Sequence, residues 1–188
     1  MRYYELFSNL HVRGRWYLRG PVDARGQEVD PWQFDKGRTL DIQETLILPV
    51  SRPGRALDFT LTGLAIPVVS SPVVALFERL GIQHQVQFIP ASIDKQPGQY
   101  FILNVLRIIR CIDDARCEEV RYWKPEDGQP DKVGQYHVVT GLRIDPSQVG
   151  DAHIFRPWGW GAGVLLVSGL LKDAMEQEGL TGLQFTEV

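Results

Sequence analysis

The chain has 188 residues, with 20 Lys+Arg against 23 Asp+Glu and a formal net charge of −3. Leu, Ile, Val and Phe make up about 31 % of it, well above the roughly 20 % below which a chain buries too little apolar surface to fold. Disordered and fibrous classes are therefore excluded, and the balanced charge argues against a dedicated nucleic-acid binder, whose domain is usually strongly basic.

Residues 1–16 are interrupted by Glu5, Asn9 and His11 and lack the apolar stretch of a secretory signal. The longest apolar run, residues 164–171, is far too short to cross a bilayer. Cys111 and Cys117 stand in a Cys-x5-Cys spacing that fits neither a zinc site nor a thioredoxin-type motif. Two reduced thiols in a cytoplasmic protein are the expectation.

In chain order, residues 15–19 alternate, with Arg15, Tyr17 and Arg19 on one side and Trp16 and Leu18 on the other, the pattern of a half-exposed strand. Leu46 to Val50 reads as a short buried strand, and residues 57–69 as one or two more, with Pro67 at an edge or end. A helix follows. Ser71 is placed at its N-cap, Pro72 at its first position and Gly81 at its left-handed end, while Val73, Leu76, Phe77 and Leu80 form one apolar stripe. The strand after it, Val86 to Ile89, is expected to stop at Pro90. Residues 96–99 are the expected boundary between two lobes, 1–96 and 97–188, of one domain. Extended segments are then expected at 100–112, 119–123, 136–140 and 153–156. Near the C-terminus the earlier phrase returns: Val164 to Val167, Ser168 as a cap, Leu170, Leu171, Ala174 and Met175 on one helical face, Gly179, and Leu183 to Phe185. We read this as two uses of a common strand–helix–strand unit. Two amphipathic helices among mostly antiparallel strands make an α+β fold.

The chemistry is sparse. Residues 157–163 carry Gly159, Gly161 and Gly163 as Gly-x-Gly-x-Gly ahead of a strand, which does not match a dinucleotide fingerprint. A loop presenting Trp158 and Trp160 is the better reading, either packed over a core edge or exposed as a binding hot spot. His11, His84, His137 and His153 are scattered with no ligand spacing, so no metal site is expected. No nucleophile elbow occurs, and no cofactor motif either. An enzyme would need distant residues such as Cys117, His137 and His153 to converge. Charge is concentrated: residues 113–131 carry net −4 and the remainder +1. Asp113, Asp114, Glu118 and Glu119 thus mark either a solvated loop or a patch that steers a basic partner.

Several phrases in order resemble a large family of bacterial immunity proteins from polymorphic toxin systems. They are Asp58-Phe59; Ser71 with Leu76 and Leu80; Gln87-Phe88-Ile89-Pro90; Tyr100 with Asn104-Val105; Ile112-Asp113; Ile154-Phe155-Arg156; Val167-Ser168 with Leu171; and Gly179-Leu180-Thr181-Gly182 with Phe185. The resemblance is clear over residues 55–188. It implies a non-catalytic protein that binds a cognate toxin, encoded by a neighbouring gene, and blocks it, without acting on nucleic acid or membrane. Arg13, Arg15, Arg19 and the tryptophan loop fall outside the matched phrases, where partner specificity is expected. An unassigned enzyme and a generic binding module are the alternatives.

Overall fold

Apolar residues recur every second position along most extended segments, and in several they are continuous, the signature of strands covered on both faces. The computed structural model, which describes residues 1–161 and 163–188, shows why. The strands are β1 (Tyr3–Ser8), β2 (Tyr17–Leu18), β3 (Leu46–Leu48), β4 (Val50–Arg52), β5 (Phe59–Leu61), β6 (Pro67–Ser70), β7 (Val86–Ile93), β8 (Tyr100–Val105), β9 (Ile108–Ile109), β10 (Glu119–Tyr122), β11 (Tyr136–Thr140), β12 (Ile154–Pro157), β13 (Leu166–Ser168) and β14 (Leu183–Glu187). The helices are α1 (Ser71–Arg79), between β6 and β7, and α2 (Gly169–Gln177), between β13 and β14. One sheet has the order β14-β1-β13-β12-β9 and the other β3-β7-β8-β6-β5; β2–β4 and β10–β11 form two-stranded ribbons. All pairs are antiparallel except β3–β7 and β9–β12, an α+β fold.

The repeated phrase of the sequence is one topology used twice. β6 and β7 flank β8, and β13 and β14 flank β1, each antiparallel to the strand between them. Each helix therefore joins two mutually parallel strands across an intervening one. The helices meet in a single core with the inner faces of both sheets: Val73 and Phe77 of α1, Leu171 and Met175 of α2, Leu103 and Val105 of β8, Leu6 of β1 and Val167 of β13. Tyr100 and Ile102 alternate to the opposite face, beneath Trp16, Leu18 and Phe34. Tyr3, Phe155 and Leu166 face a third layer holding Cys111, Val139 and Ile144.

Several local expectations shift. Ser71 is the first helical residue and Ser70 the N-cap, but Ser70 makes no capping bond; its hydroxyl donates to Asp58 at 2.7 Å. Ser168 does cap α2, accepting from the Leu171 amide at 3.3 Å. Gly81 (φ +69°) and Gly179 (φ +66°) take the left-handed conformation expected after each helix. β7 runs through Pro90 to Ile93; β3 begins its pairing only at Ala91, so a residue without an amide hydrogen is tolerated there. The segment Leu46 to Val50 divides at Pro49 into strands of two different sheets. Trp16 and Leu18 are buried as the alternation requires, yet Arg15 is buried too. Residues 96–99 lie in the connection between β7 and β8, which pair in one sheet.

A polar clamp joins the two halves. The Asp58 carboxylate accepts from the Thr181 amide at 2.8 Å, the Thr181 hydroxyl at 2.7 Å and the Ser70 hydroxyl. Burial alone would raise this carboxyl, but the hydrogen bonds from Thr181 and Ser70 outweigh it and hold it below the ordinary value. Gly182 follows at φ +90°, and a Cβ there would stand 2.1 Å from the Phe59 carbonyl oxygen, so only glycine permits this approach.

Phe77 is sealed in the central core, edge-on to Phe88 at 5.5 Å. Phe77→Ala should cost about 3–5 kcal/mol, measured by urea denaturation; an unchanged midpoint would contradict its place in the core. Glu5, half-buried on β1, is pushed up from 4.5 to about 7 by burial. An acid whose folded value is raised stabilises the fold fully below its unfolded value and loses that contribution as pH rises through the folded one. The stability of the protein should therefore fall between about pH 4.5 and 7, and Glu5→Gln should flatten that limb in thermal melts across the same window.

Candidate functional site

Four of the five tryptophans line one cleft of about 520 Å³. Its walls come from the loop after β12, the β10–β11 ribbon and a 3-10 turn at Pro31–Asp35. Trp158 is fixed by its amide, which donates to the Ile109 carbonyl at 2.8 Å, and by the Arg110 guanidinium, 3.5 Å from its ring centre. Trp123 stacks on His137 with ring centres 3.8 Å apart, and the Lys132 ammonium lies 5.0 Å from the same indole. Trp32, 60 % exposed, stands at the rim on the 3-10 turn that Asp30 caps by accepting from the Trp32 amide. The Tyr136 amide donates to the Gly159 carbonyl at 2.8 Å and ties the ribbon to the Trp158–Trp160 loop. Ala162 of that glycine-rich loop lies outside the described residues.

The floor is an ion pair. Arg156 Nη2 stands 3.1 Å from Asp35 Oδ1, with Arg156 nearly sealed from solvent. Burial raises the Asp35 carboxyl, opposed by Arg156 and Lys36, and burial lowers Arg156, opposed by Asp35. Each charge is costly to bury alone, so the pair holds the 3-10 turn against β12. With Lys36, Lys132 and Arg110 around it, the cleft is basic, although the neighbouring segment is the acidic one in sequence.

The residues singled out from sequence divide. Trp158 and Trp160 line the cleft together. Asp114 reaches it indirectly, accepting from the Tyr136 hydroxyl at 2.9 Å and from the Tyr122 hydroxyl. Burial first, then the hydrogen bonds with Tyr122 and Asp114, pushes the Tyr136 hydroxyl well above its ordinary value. Asp113 pairs with Arg116 at 3.9 Å and Glu119 with Arg121 at 3.0 Å. Glu118 makes no ion pair among the described residues, and neither it nor Glu119 lines the cleft. Both pairs lie within the segment and use bases already counted in its net −4, which therefore stands. Trp32, Trp123, Asp35 and Arg156 were not singled out. Arg156 carried a signal, a cation in the apolar run Ile154-Phe155-Arg156; the scattered tryptophans carried none.

Of the groups a catalytic reading would draw on, His137 lines the cleft against Trp123, and Ser168, Cys117 and Cys111 make structural contacts. His153 Nδ1 lies 2.8 Å from Ser168 Oγ, but Ser168 is fully buried and caps α2. Cys117 exchanges hydrogen bonds with the Arg143 backbone at 3.3 and 3.6 Å. Burial, and then Asp145, pushes the Cys111 thiol up to about 12. No group of three or more His, Cys, Asp or Glu among the described residues could hold a metal ion. Among the described residues no helix is long and apolar enough to cross a membrane.

Asp114→Asn removes the charge that holds both tyrosine hydroxyls. Amide hydrogen exchange of the ladder amides of the β10–β11 ribbon should quicken about tenfold while the central strands keep their protection; unchanged exchange in the ribbon would show that Asp114 does not organise this wall.

No curated protein matches the chain in sequence. The family model described as Immunity protein family (Imm11) matches residues 1–188. With the whole chain covered, the protein belongs to the Imm11 immunity protein family.

Proposed function

We propose that this chain is a non-catalytic, cytoplasmic immunity protein that binds a cognate bacterial toxin, the product of a neighbouring gene, and neutralises it by direct association. The observation that carries this reading is the family match over the full length of the chain. The aromatic cleft supports a place for the contact. Tryptophan and arginine are the side chains most enriched at the energetic centres of protein interfaces, and here they stand in a partly open cleft, braced by cations on the indole faces and by the Asp114–tyrosine bonds. A side chain already held in place loses little freedom on binding. The exposed acids Glu118 and Glu119 flank that centre in sequence and act at longer range, steering a basic partner and adding specificity.

Co-expression with the neighbouring toxin gene tests the proposal: cells survive and a complex copurifies. Death at the rate seen without this protein, with no complex, overturns it. Replacing Trp158 and Trp160 together by Ala should weaken the complex at least tenfold, about 1.4 kcal/mol or more, measured at a temperature where the variant remains folded. Glu118→Gln with Glu119→Gln should slow association with a basic toxin and flatten its salt dependence, while dissociation changes little.

A further inference from the structure

A second cavity, of about 570 Å³, lies away from the aromatic cleft and shares no lining residue with it. Phe7, Leu10, Leu18 and Leu61 supply its apolar walls, and no Asp or Glu lines it among the described residues. At one wall sits Arg15, only 6 % exposed. Its side chain makes no hydrogen bond and no ion pair among the described residues, and its Nε is sealed from solvent without an acceptor. The guanidinium lies 4.2 Å from the centre of the Tyr17 ring, and Arg52 approaches the same ring at 5.7 Å.

The position is set by the backbone. The Trp16 amide donates to Arg55 at 3.1 Å and the Arg55 amide to Gly14 at 2.7 Å. The Trp16 indole donates to the Thr60 hydroxyl at 2.9 Å on the inner face, which leaves Arg15 directed to the other side, against the cavity. The guanidinium has no counter-charge among the described residues and its Nε is buried without an acceptor, which is costly, and the face of one tyrosine offsets only part of that cost. A planar carboxylate supplies the rest, because its two oxygens match the donor fork of a guanidinium. The four apolar walls then call for an alkyl or aryl body, and a dianionic phosphate would lose hydration that they cannot replace. The volume falls in the range of small-molecule sites.

We infer that this cavity binds a small amphiphilic monocarboxylate, its carboxylate on Arg15 and its apolar body against Phe7, Leu10, Leu18 and Leu61. This site is independent of the toxin-binding reading. Isothermal titration of the full chain with octanoate tests it, with octanamide and octylamine as probes that keep the body and change the head. Octanoate should bind saturably with Kd below about 1 mM, and octanamide and octylamine at least tenfold more weakly. Arg15→Gln should lose at least tenfold. Leu10 is exposed at the mouth, so Leu10→Glu should leave the melting temperature unchanged yet place an acid beside Arg15 and abolish octanoate binding. Absence of saturable octanoate binding, equal affinity for octanamide, or wild-type affinity in Leu10→Glu would each overturn the inference.

Discussion

Both helices are only nine residues long, too short to persist in water by their own hydrogen bonds. They exist because each lays its apolar stripe into one core lined by the inner faces of both sheets. Phe77 and Val73 from one helix and Leu171 and Met175 from the other are fully sealed there. Neither strand–helix–strand unit has a second partner of its own to cover its helix. The two units therefore depend on each other, and the chain between and around them is arranged to keep that shared core dry.

Burying two sheets on both faces also buries their polar groups, which must find partners. The Asp58 carboxylate meets this need at one junction, joining the residue just before the edge strand β5 to the turn that follows α2. Gln85 meets it at another, accepting from the amides of His153 and Ile154 and donating to the Asp151 carbonyl. Gln87 and Asn104 hold the segment around Leu40 against the outer face of the second sheet. At the surface, Arg79 and Glu178 pair across the ends of the two helices. These bonds are directional where the core is not, so they select one register of the two halves among many of similar apolar burial.

The outer layers need only cover the sheets, which leaves them free to carry chemistry on turns and ribbons. The 3-10 turn bearing Trp32, the ribbon bearing Trp123 and Tyr136, and the loop bearing Trp158 and Trp160 converge because Arg156 and Asp35 pin the first to β12, and the Tyr136–Gly159 bond pins the second to the third. Within the 113–131 segment Asp113 and Glu119 pair with arginines and Asp114 with two tyrosines, while Glu118 makes no ion pair among the described residues. The segment keeps its net negative charge beside a basic, aromatic cleft.

Much of the fold was legible residue by residue. The helices, their glycine ends, the Ser168 cap, the inward Trp16 and Leu18 and the recurring strand–helix–strand unit follow from side-chain periodicity and backbone sterics within a few neighbouring positions. The cleft was legible through Trp158 and Trp160 and, more faintly, through Arg156 in its apolar run, and the burial of Arg15 not at all. Alternation tells which side of a strand a residue occupies but not what covers that side. What only the tertiary structure decided was strand order, the two parallel pairings, Ser70 in place of Ser71 at the helix start, and the meeting of four tryptophans. Each depends on partners distant along the chain, as Asp58 and Thr181 are, 123 positions apart. Periodicity and local sterics reach only a turn or two of chain, whereas these contacts are set by how the two units close around their common core.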